Sequence, residues 1–271
     1  MLRQQKTSIC ASVPAMLLLV IGQGVSAQDR ASEAMNFELG IATRDLDTED
    51  STSSGDLGVR GAATIPLGSW LFASFKAGYS ESTVRTRDVL AHAGGLESGV
   101  RPSCGFDSLN GSAGLFVRRP RFGKIGVSYL HGELSADCGT GSQFVSNAEE
   151  DLTTDGYRVD AEVYLGNFTL AGARFSTDLD SSDKLETTSV SASWYAMNNL
   201  KLSVYGDDLN DRDTYGVLIE HQPDFMGDAL GVYVGYATTD DDLPRTRTIS
   251  FGISYYFGTR VDLKTRDRQY R

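Results

Sequence analysis

Apolar and polar residues alternate with a period of two in the last long segment of the chain. In the stretch 248–257 the odd-numbered positions are Ile249, Phe251, Ile253, Tyr255 and Phe257, and the even-numbered positions are mostly Ser, Thr and Gly. Successive side chains of a β-strand point to opposite faces, so this stretch predicts a strand with one apolar face that ends in aromatic residues. Aromatic residues border the apolar face of membrane strands at the lipid–water interface, and the pattern therefore predicts a transmembrane strand.

The same alternation recurs about twelve times along the chain, in segments of roughly the 9 to 11 residues that a tilted membrane strand needs. The segments are 35–44, 57–66, 70–80, 109–118, 124–134, 156–165, 168–177, 187–197, 200–207, 214–222, 229–238 and 247–257. The sequence thus predicts an all-β fold, namely a transmembrane antiparallel up-and-down β-barrel of about twelve strands.

The predicted connections alternate between short turns and longer, acidic loops. The short connections are 67–69, 119–123, 166–167, 198–199 and 223–228, and the longer ones are 45–56, 81–108, 135–155, 178–186, 208–213 and 239–246. Outer-membrane barrels have short periplasmic turns and longer external loops. We therefore expect both ends of the barrel sequence on the periplasmic side.

The N-terminal segment 1–27 has the features of a secretory signal peptide. Arg3 and Lys6 give it a cationic start, 15–21 is apolar, and Val25-Ser26-Ala27 is a small-residue cleavage site. The apolar part is too short to span a bilayer as a helix, which needs roughly 18 to 20 apolar residues, and no other segment reaches that length. We expect 1–27 to be cleaved, 28–258 to form the barrel and 259–271 to be a basic periplasmic tail.

The chain is acidic, with 36 Asp and Glu against 25 Lys and Arg and a formal net charge of −11 at pH 7. The only charged residues in 1–27 are basic, so their loss would make the chain more acidic. An acidic chain is not expected to bind nucleic acid. Carboxylates are dense in the predicted external loops, as at 45–50 and 240–242. These loops lack the residue spacing of a calcium-binding loop, so the sequence predicts no metal site and no cofactor.

Cys104 and Cys138 are the two cysteines that follow residue 27. If the hairpin between the fourth and fifth predicted strands is centred on Arg121, the two cysteines lie directly opposite each other. An oxidising compartment favours a disulfide between cysteines in this arrangement. Such a disulfide would connect the two longest external loops.

Charged residues occupy inward-facing positions in several predicted strands. Nine of them are candidates for lining the lumen or a constriction within it: Glu38, Arg60, Lys76, Arg118, Arg158, Asp160, Glu162, Lys201 and Glu220. Charges of both signs inside a barrel have two interpretations, since they either line an aqueous path or pair across the interior and close it.

Arg60 and Lys76 illustrate the choice between these interpretations. A turn centred on Gly68 would make them direct cross-strand neighbours, and like charges in such a pair are destabilising. They require either a carboxylate, for which Glu38 on the preceding strand is the candidate, or a bound anion. In the second case the two residues form a cationic constriction that contacts solutes.

Catalytic groups are sparse in the sequence. The histidines are His92, His131 and His221, and His131 with Glu133 is the pair nearest the outer rim. Both residues fall on outward-facing positions, where a surface histidine is expected. No nucleophile elbow, zinc-protease motif or glycine-rich phosphate loop is present, so we predict no enzymatic activity.

The signal peptide, the alternating strands, the sorted connections and Phe257 at the end of the last strand together resemble a small Gram-negative outer-membrane β-barrel protein of the porin-like kind. The resemblance implies outer-membrane lipid, lipopolysaccharide and the barrel assembly machinery as partners. Such proteins usually end on the C-terminal aromatic residue of the last strand. The tail 259–271 departs from this pattern, and we expect it to be a disordered extension.

About twelve strands lie between the filled eight-stranded barrels and the open sixteen-stranded porins, so a pore should be narrow. We therefore expect a porin-like channel for the passive diffusion of small polar solutes. The alternative is a closed barrel, structural or surface-binding, with disulfide-linked external loops. An outer-membrane hydrolase is a weaker alternative.

Overall fold

A computed structural model of the protein describes residues 34–48, 52–86, 103–138, 152–179, 184–209, 212–240 and 246–271. The strands in these ranges are β1 (Asn36–Thr48), β2 (Thr52–Pro66), β3 (Leu71–Thr86), β4 (Ser103–Arg119), β5 (Gly123–Cys138), β6 (Leu152–Leu165), β7 (Phe168–Leu179), β8 (Lys184–Met197), β9 (Leu200–Leu209), β10 (Arg212–His221), β11 (Leu230–Asp240) and β12 (Thr246–Phe257). A helix, α1, covers Leu263–Gln269. Within the described ranges, no helix is long and apolar enough to cross a bilayer.

The twelve strands form one closed antiparallel barrel. Each strand pairs with its neighbours in sequence, and β1 pairs with β12 from Phe37↔Phe257 to Thr48↔Thr246. The number and order of the strands confirm the predicted up-and-down barrel. Because the sheet closes on itself, its strands hydrogen-bond on both sides, which is the condition for a sheet in hydrocarbon.

The outer surface of the barrel carries an apolar band with aromatic borders. Val190, near the middle of β8, is 60% exposed. At one border Tyr129 packs edge-to-face on Tyr157 with ring centroids 5.6 Å apart. At the other border Phe168 stacks on Trp194 with centroids 6.5 Å apart. This arrangement confirms the predicted alternation of outward apolar and inward polar residues. The exterior has the apolar band between two aromatic borders that is typical of transmembrane β-barrels.

The strands extend beyond the segments predicted from apolar alternation. β3 continues to Thr86 instead of ending at 80, β4 begins at Ser103 instead of 109, and β5 continues to Cys138 instead of ending at 134. The added residues are mostly Ser, Thr, Gly and charged residues. Apolar alternation ends where the apolar band ends, whereas the backbone hydrogen bonds continue past it, so the sequence pattern underestimates strand length.

The longer strands change the predicted contrast in loop length. We call the end of the barrel with the connections 67–70, 120–122, 166–167, 198–199 and 222–229 the turn end, and the opposite end the loop end. At the loop end only the connections 87–102 and 139–151 are long, and the others have at most five residues between their strands. The predicted longer loops are present at 87–102 and 139–151, and the other four connections are shorter than predicted because the flanking strands take up most of their residues.

The register between β2 and β3 differs from the predicted one. Arg60 pairs with Gly78 and Lys76 pairs with Ala62, so Arg60 and Lys76 are not direct neighbours. The Leu67 N–H donates to the Leu71 carbonyl over 2.9 Å, which centres the turn on Ser69 instead of Gly68. The pairing shifts by two residues, and both side chains keep their inward direction because a strand has a period of two.

The predicted register between β4 and β5 is confirmed. Cys104 pairs with Cys138 in the backbone ladder, and the same register runs down to Arg118↔Lys124. The side chains of the two cysteines lie outside the described part of the structure. Directly paired residues in antiparallel strands have Cα atoms about 4.5 to 5.5 Å apart, which is within the span of a disulfide. The disulfide itself stays a prediction.

The C-terminal tail folds back against the turn end of the barrel, in contrast to the disordered extension expected from the sequence. The chain leaves β12 at Phe257 and turns at Gly258, whose φ of 99° lies in the region that favours glycine. It then forms α1, and Leu263 at the start of this helix is fully buried. Residues 259–271 are thus a structural part of the barrel end.

The two faces of β8 provide a test of the membrane orientation of the barrel. Val190→Arg should lower the yield of folded, lipid-inserted protein, because an Arg on the lipid face near the midplane costs about 2 to 4 kcal/mol. The neighbouring change Ser191→Arg places the same side chain in the lumen and should insert normally. The folded fraction is read from the unheated and heated gel mobilities after refolding into vesicles. Equal yields of the two variants would contradict the assigned faces.

The paired cysteines give a second test. Protein isolated from cells without reductant should contain a Cys104–Cys138 disulfide, detectable as a linked peptide pair in a non-reducing digest. Replacing both residues with Ser should leave the barrel folded, with different gel mobilities before and after heating. The reason is that the backbone ladder between β4 and β5 continues to Arg118↔Lys124 and does not depend on the crosslink. Recovery of both thiols in the free form would refute the prediction.

Candidate functional site: the lumen chamber and its C-terminal helix

The lumen contains a chamber of about 930 Å³, lined by inward-facing residues of the strands and by the C-terminal segment. The side chains of Ser, Thr, Asn and charged residues dominate its wall. Asp267, Arg268 and Arg271 from the C-terminal segment belong to the same lining. The chamber therefore ends on α1 at the turn end of the barrel.

Most of the residues predicted to face the lumen are found in the chamber lining. Eight of the nine candidates line it: Glu38, Arg60, Lys76, Arg158, Asp160, Glu162, Lys201 and Glu220. Arg118 is different. It is fully buried at the turn end, with its guanidinium carbon 4.6 Å from the ring centroid of Phe116 and 5.4 Å from that of Phe72. Arg118 therefore packs against two aromatic rings and does not line the chamber.

Local sequence signals explain why the tail becomes helical. Asp262 is the N-cap of α1, and its carboxylate accepts hydrogen bonds from the Thr265 N–H and the Thr265 hydroxyl, both over 2.9 Å. The Lys264 N–H donates to the Asn198 carbonyl over 2.9 Å, which attaches the first turn of the helix to the connection between β8 and β9. The basic residues Arg266 and Arg268 lie in the last turn, where they complement the helix dipole.

Arg271 joins two distant strands of the barrel wall. Its guanidinium donates to both carboxylate oxygens of Glu38 on β1, over 3.0 and 2.9 Å, and to Glu220 on β10 over 3.0 Å. It also donates to the Tyr256 hydroxyl over 3.0 Å. Burial opposes the charge on Arg271, but Glu220 and Glu38 outweigh it and raise the pKa of Arg271 above its ordinary value. The bidentate contact gives this side chain a fixed position in the lumen.

Asp267 forms the second contact between α1 and the wall. Its carboxylate accepts hydrogen bonds from the Lys201 ammonium and the Tyr195 hydroxyl, each over 2.8 Å, and from Arg271 over 3.0 Å. Burial alone would raise the pKa of the Asp267 carboxyl, but Lys201 and Arg271 outweigh it and hold that pKa below its usual range. Asp267 therefore stays ionised at neutral pH, and its ion pairs are lost only as the pH falls through the lowered pKa.

Two further arginines fix the helix at the barrel end. The Arg266 guanidinium lies 3.9 Å from the ring centroid of Tyr256 and donates to the Asp228 carbonyl over 2.8 Å. Arg268 donates to the carbonyls of Gly166 and Phe168 over 2.8 and 2.7 Å. These contacts are made by side chains of α1 with turns and ring faces of the barrel.

The chamber wall above α1 contains further ion pairs. Lys124 and Glu162 are 2.6 Å apart across β5 and β6. The predicted partnership of Arg60 with Glu38 is present at 3.6 Å, and Arg60 also donates to the Ser254 hydroxyl over 3.1 Å. Charged side chains of both signs thus form pairs between neighbouring strands and also line the chamber.

The pair His131 and Glu133 lies on the outer surface near the loop end, as its sequence positions predicted. The His131 Nδ1 is 2.8 Å from Asp155 on β6, and the Tyr129 hydroxyl also donates to this carboxylate. The sequence analysis had not connected Asp155 with His131, because the contact depends on the register between β5 and β6. Among the residues that the structure describes, no group of His, Cys, Asp and Glu is arranged to hold a metal ion.

The residues that close the turn end were missed by the sequence analysis. Asp267 and Arg271 lie after the last predicted strand, where the alternation gives no information. Two signals could have indicated them. Asp262 three residues before Thr265 is a helix N-cap pattern, and the tail is basic whereas the inward carboxylate Glu220 lacked an assigned partner.

No protein-family model and no curated protein sequence matches the chain. Solved structures are similar to it in fold. An outer membrane channel from Pseudomonas putida is 10% identical, with 86% of this chain and 100% of that chain covered and a TM-score of 0.61. The translocator domain of the autotransporter NalP from Neisseria meningitidis is 10% identical, with 89% and 93% covered and a TM-score of 0.52.

A mutant of the monoaromatic hydrocarbon channel TodX is 12% identical, with 83% of this chain and 91% of that chain covered and a TM-score of 0.53. Sequence identities this low show the fold alone. The fold of this protein is therefore that of the outer-membrane β-barrels, in a twelve-stranded form.

The contacts of Arg271 predict how firmly α1 is held. Arg271→Met leaves Glu38 and Glu220 without their shared cation, which should weaken docking of the helix by about 2 kcal/mol, a value discounted for partial exposure. Trypsin should then cleave at Lys264, Arg266 and Arg268 many times faster than in the unmodified protein, because cleavage follows the population of the undocked helix.

Arg260→Met is the matched control, since its exposed guanidinium donates only to the carbonyls of Met226 and Gly227, outside the chamber. Release of C-terminal peptides is followed by mass spectrometry. Equal cleavage rates in the two variants would show that the carboxylates do not hold the helix.

Proposed function

We propose that this protein is a narrow outer-membrane channel for small polar solutes whose periplasmic mouth is closed by its own C-terminal helix. The observation that carries the proposal is the position of α1. It contributes Asp267 and Arg268 to the end of the chamber, and Arg271 follows two residues after it, but this segment adds no strand to the barrel.

The barrel wall is complete without the tail. The ladder between β1 and β12 runs from Phe37↔Phe257 outward, and residues 259–271 take no part in it. The helix is attached through ion pairs, hydrogen bonds and ring contacts of its side chains, with few buried apolar residues, of which Leu263 and Tyr270 are the examples. Undocking of α1 would therefore open the chamber without breaking a strand pairing.

The chemistry of the docking contacts is compatible with reversible closure. A partly buried ion pair gains Coulomb energy but loses hydration of both partners, so its net contribution is small. When the helix leaves, Glu38, Glu220 and Lys201 remain in a water-filled lumen, where they are hydrated. The helix can thus exchange its contacts with the wall for contacts with water at a modest cost.

The exterior of the barrel supports the location in the outer membrane. An apolar band with aromatic borders encircles strands whose ladder is closed, which is the structure that strands adopt in lipid. The short connections at the turn end fit the periplasmic side, and the long connections 87–102 and 139–151 fit the external side. In this orientation α1 occupies the periplasmic mouth.

The polarity of the chamber indicates the class of solute. Its lining combines hydroxyl and amide side chains with ion pairs such as Lys124–Glu162. The similar fold of TodX belongs to a channel for monoaromatic hydrocarbons, which are apolar. A charged lumen disfavours such solutes because they cannot replace the water around the ion pairs, so small polar solutes are the better fit.

Removal of the tail tests the proposal directly. A variant that ends at Gly258 should still form a heat-modifiable barrel, and its single-channel conductance in planar bilayers should be several times that of the full chain. A folded truncated barrel without conductance would overturn the channel proposal and favour the closed, surface-binding barrel. Equal conductance with and without the tail would show that α1 is not the barrier.

A crosslinked variant supplies a control that keeps the full chain. Asn198→Cys with Lys264→Cys places two thiols where the backbones are joined by a 2.9 Å hydrogen bond, within reach of a disulfide. The oxidised form should lose any openings that the full chain shows, and reductant should restore them. The unmodified protein with and without reductant controls for the pair Cys104 and Cys138.

A further inference from the structure

The ion pairs of the chamber leave basic side chains in excess. Its lining contains the acidic side chains Glu38, Asp160, Glu162, Glu220 and Asp267 and seven basic ones. Each of the five carboxylates lies within 4 Å of at least one basic side chain. The whole chain has a net charge of −11, so the chamber is basic in an acidic protein.

Among the described residues, Lys76 and Arg268 are the basic side chains of this chamber without a carboxylate partner, and Arg268 is held by hydrogen bonds to the carbonyls of Gly166 and Phe168. Lys76 lies on β3 with its side chain exposed to the water of the chamber, and it makes no ion pair or hydrogen bond with any residue that the structure describes. Arg60, which the sequence analysis had grouped with it, is held by Glu38 and Ser254. Within the described part of the chain, Lys76 is therefore the basic side chain of the chamber that has neither an ion pair nor a hydrogen bond.

Cationic neighbours add to the positive potential around Lys76. Lys124 and Arg158 are the groups that interact with it most strongly by charge, and Asp160 acts in the opposite direction. Arg158 is only loosely paired. Its Nε lies 3.4 Å from Asp160 but has no hydrogen-bonding geometry with it. Lys76 thus lies in an enclosed space where charges are poorly screened, and Arg158 nearby is a second, loosely paired cation. Two such cations create a positive potential that attracts anions.

We propose that the chamber is a binding site for small organic anions, with Lys76 as the main contact for a carboxylate and Arg158 as the contact for a second one. This inference rests on the proposed channel and names the solutes that it selects. A chamber of about 930 Å³ holds a dicarboxylate of a few carbon atoms together with water. Ionised carboxylates on Lys and Arg make strong charge-assisted hydrogen bonds, whereas neutral or cationic solutes gain nothing from an unpaired ammonium.

Binding to the full chain tests the site without requiring conduction. Succinate, 1,4-butanediol and 1,4-diaminobutane share a four-carbon skeleton and differ in end-group charge. Isothermal titration calorimetry on refolded protein in detergent should detect binding of succinate and not of the other two. Lys76→Gln should weaken succinate binding roughly tenfold or more, because one charge-assisted contact is lost, and Lys76→Arg should retain most of it.

Lys184→Gln is the matched control for charge. It also removes one positive charge, but Lys184 is exposed on the outer surface beside Glu186 and should leave succinate binding unchanged. Equal binding of all three ligands, or equal loss of succinate affinity in the Lys76 and Lys184 variants, would overturn the proposed site.

Ion selectivity provides the second measurement. In the variant that ends at Gly258, the reversal potential in a KCl gradient should indicate anion preference, and Lys76→Gln in that background should shift it toward cations. If the barrel binds succinate but never conducts, the anion-site proposal is supported and the channel proposal is refuted. Conduction with an unchanged reversal potential and no succinate binding would refute the anion site and leave the channel.

Discussion

The structure depends on the closed hydrogen-bond ladder, and in particular on the pairing of β1 with β12. An antiparallel sheet of twelve strands exposes a row of unpaired backbone groups at each edge unless its first and last strands meet. The pairing from Phe37↔Phe257 to Thr48↔Thr246 removes both edges. Closure also separates an outer face that contacts lipid from an inner face that contacts water, and the alternation of side chains follows from that separation.

Closure has a second consequence, because it places residues from distant strands around a common space. Glu38 and Glu220 lie on β1 and β10, with β11 and β12 between them, yet one guanidinium from Arg271 contacts both. Carboxylates that face a partly enclosed lumen attract a cation that can make charge-assisted hydrogen bonds to them. The basic tail provides the missing cation, which explains why a segment outside the barrel ladder docks in its mouth.

The proposed channel and the proposed anion site rely on different parts of the chamber. α1 docks at the turn end, where Asp267 pairs with Lys201 and accepts a hydrogen bond from Tyr195. The space above it retains the uncompensated ammonium of Lys76. Under the two proposals, the lumen selects solutes by charge at Lys76 and closes at the end where α1 docks.

The sequence by itself determined the local properties of the strands. Apolar alternation identified all twelve strands and their lumen and lipid faces, because a period of two is a property of neighbouring residues. The register that pairs Cys104 with Cys138 followed from a hairpin centred on Arg121. Alternation also placed eight of nine charged candidates in the lining of the chamber. These results required no knowledge of which strands meet in space.

Only the tertiary structure decided the pairings that depend on contacts between distant segments. The turn centred on Ser69 separated Arg60 from Lys76, and the docking of α1 brought Asp267 and Arg271 to Lys201, Glu38 and Glu220. Alternation carries no information about a helix that binds to strands far from it in sequence. The physical reason is that a charged side chain pairs with whichever opposite charge the closed barrel places within a few ångströms. The fold sets the distances between residues that are far apart in sequence, and the local sequence pattern does not.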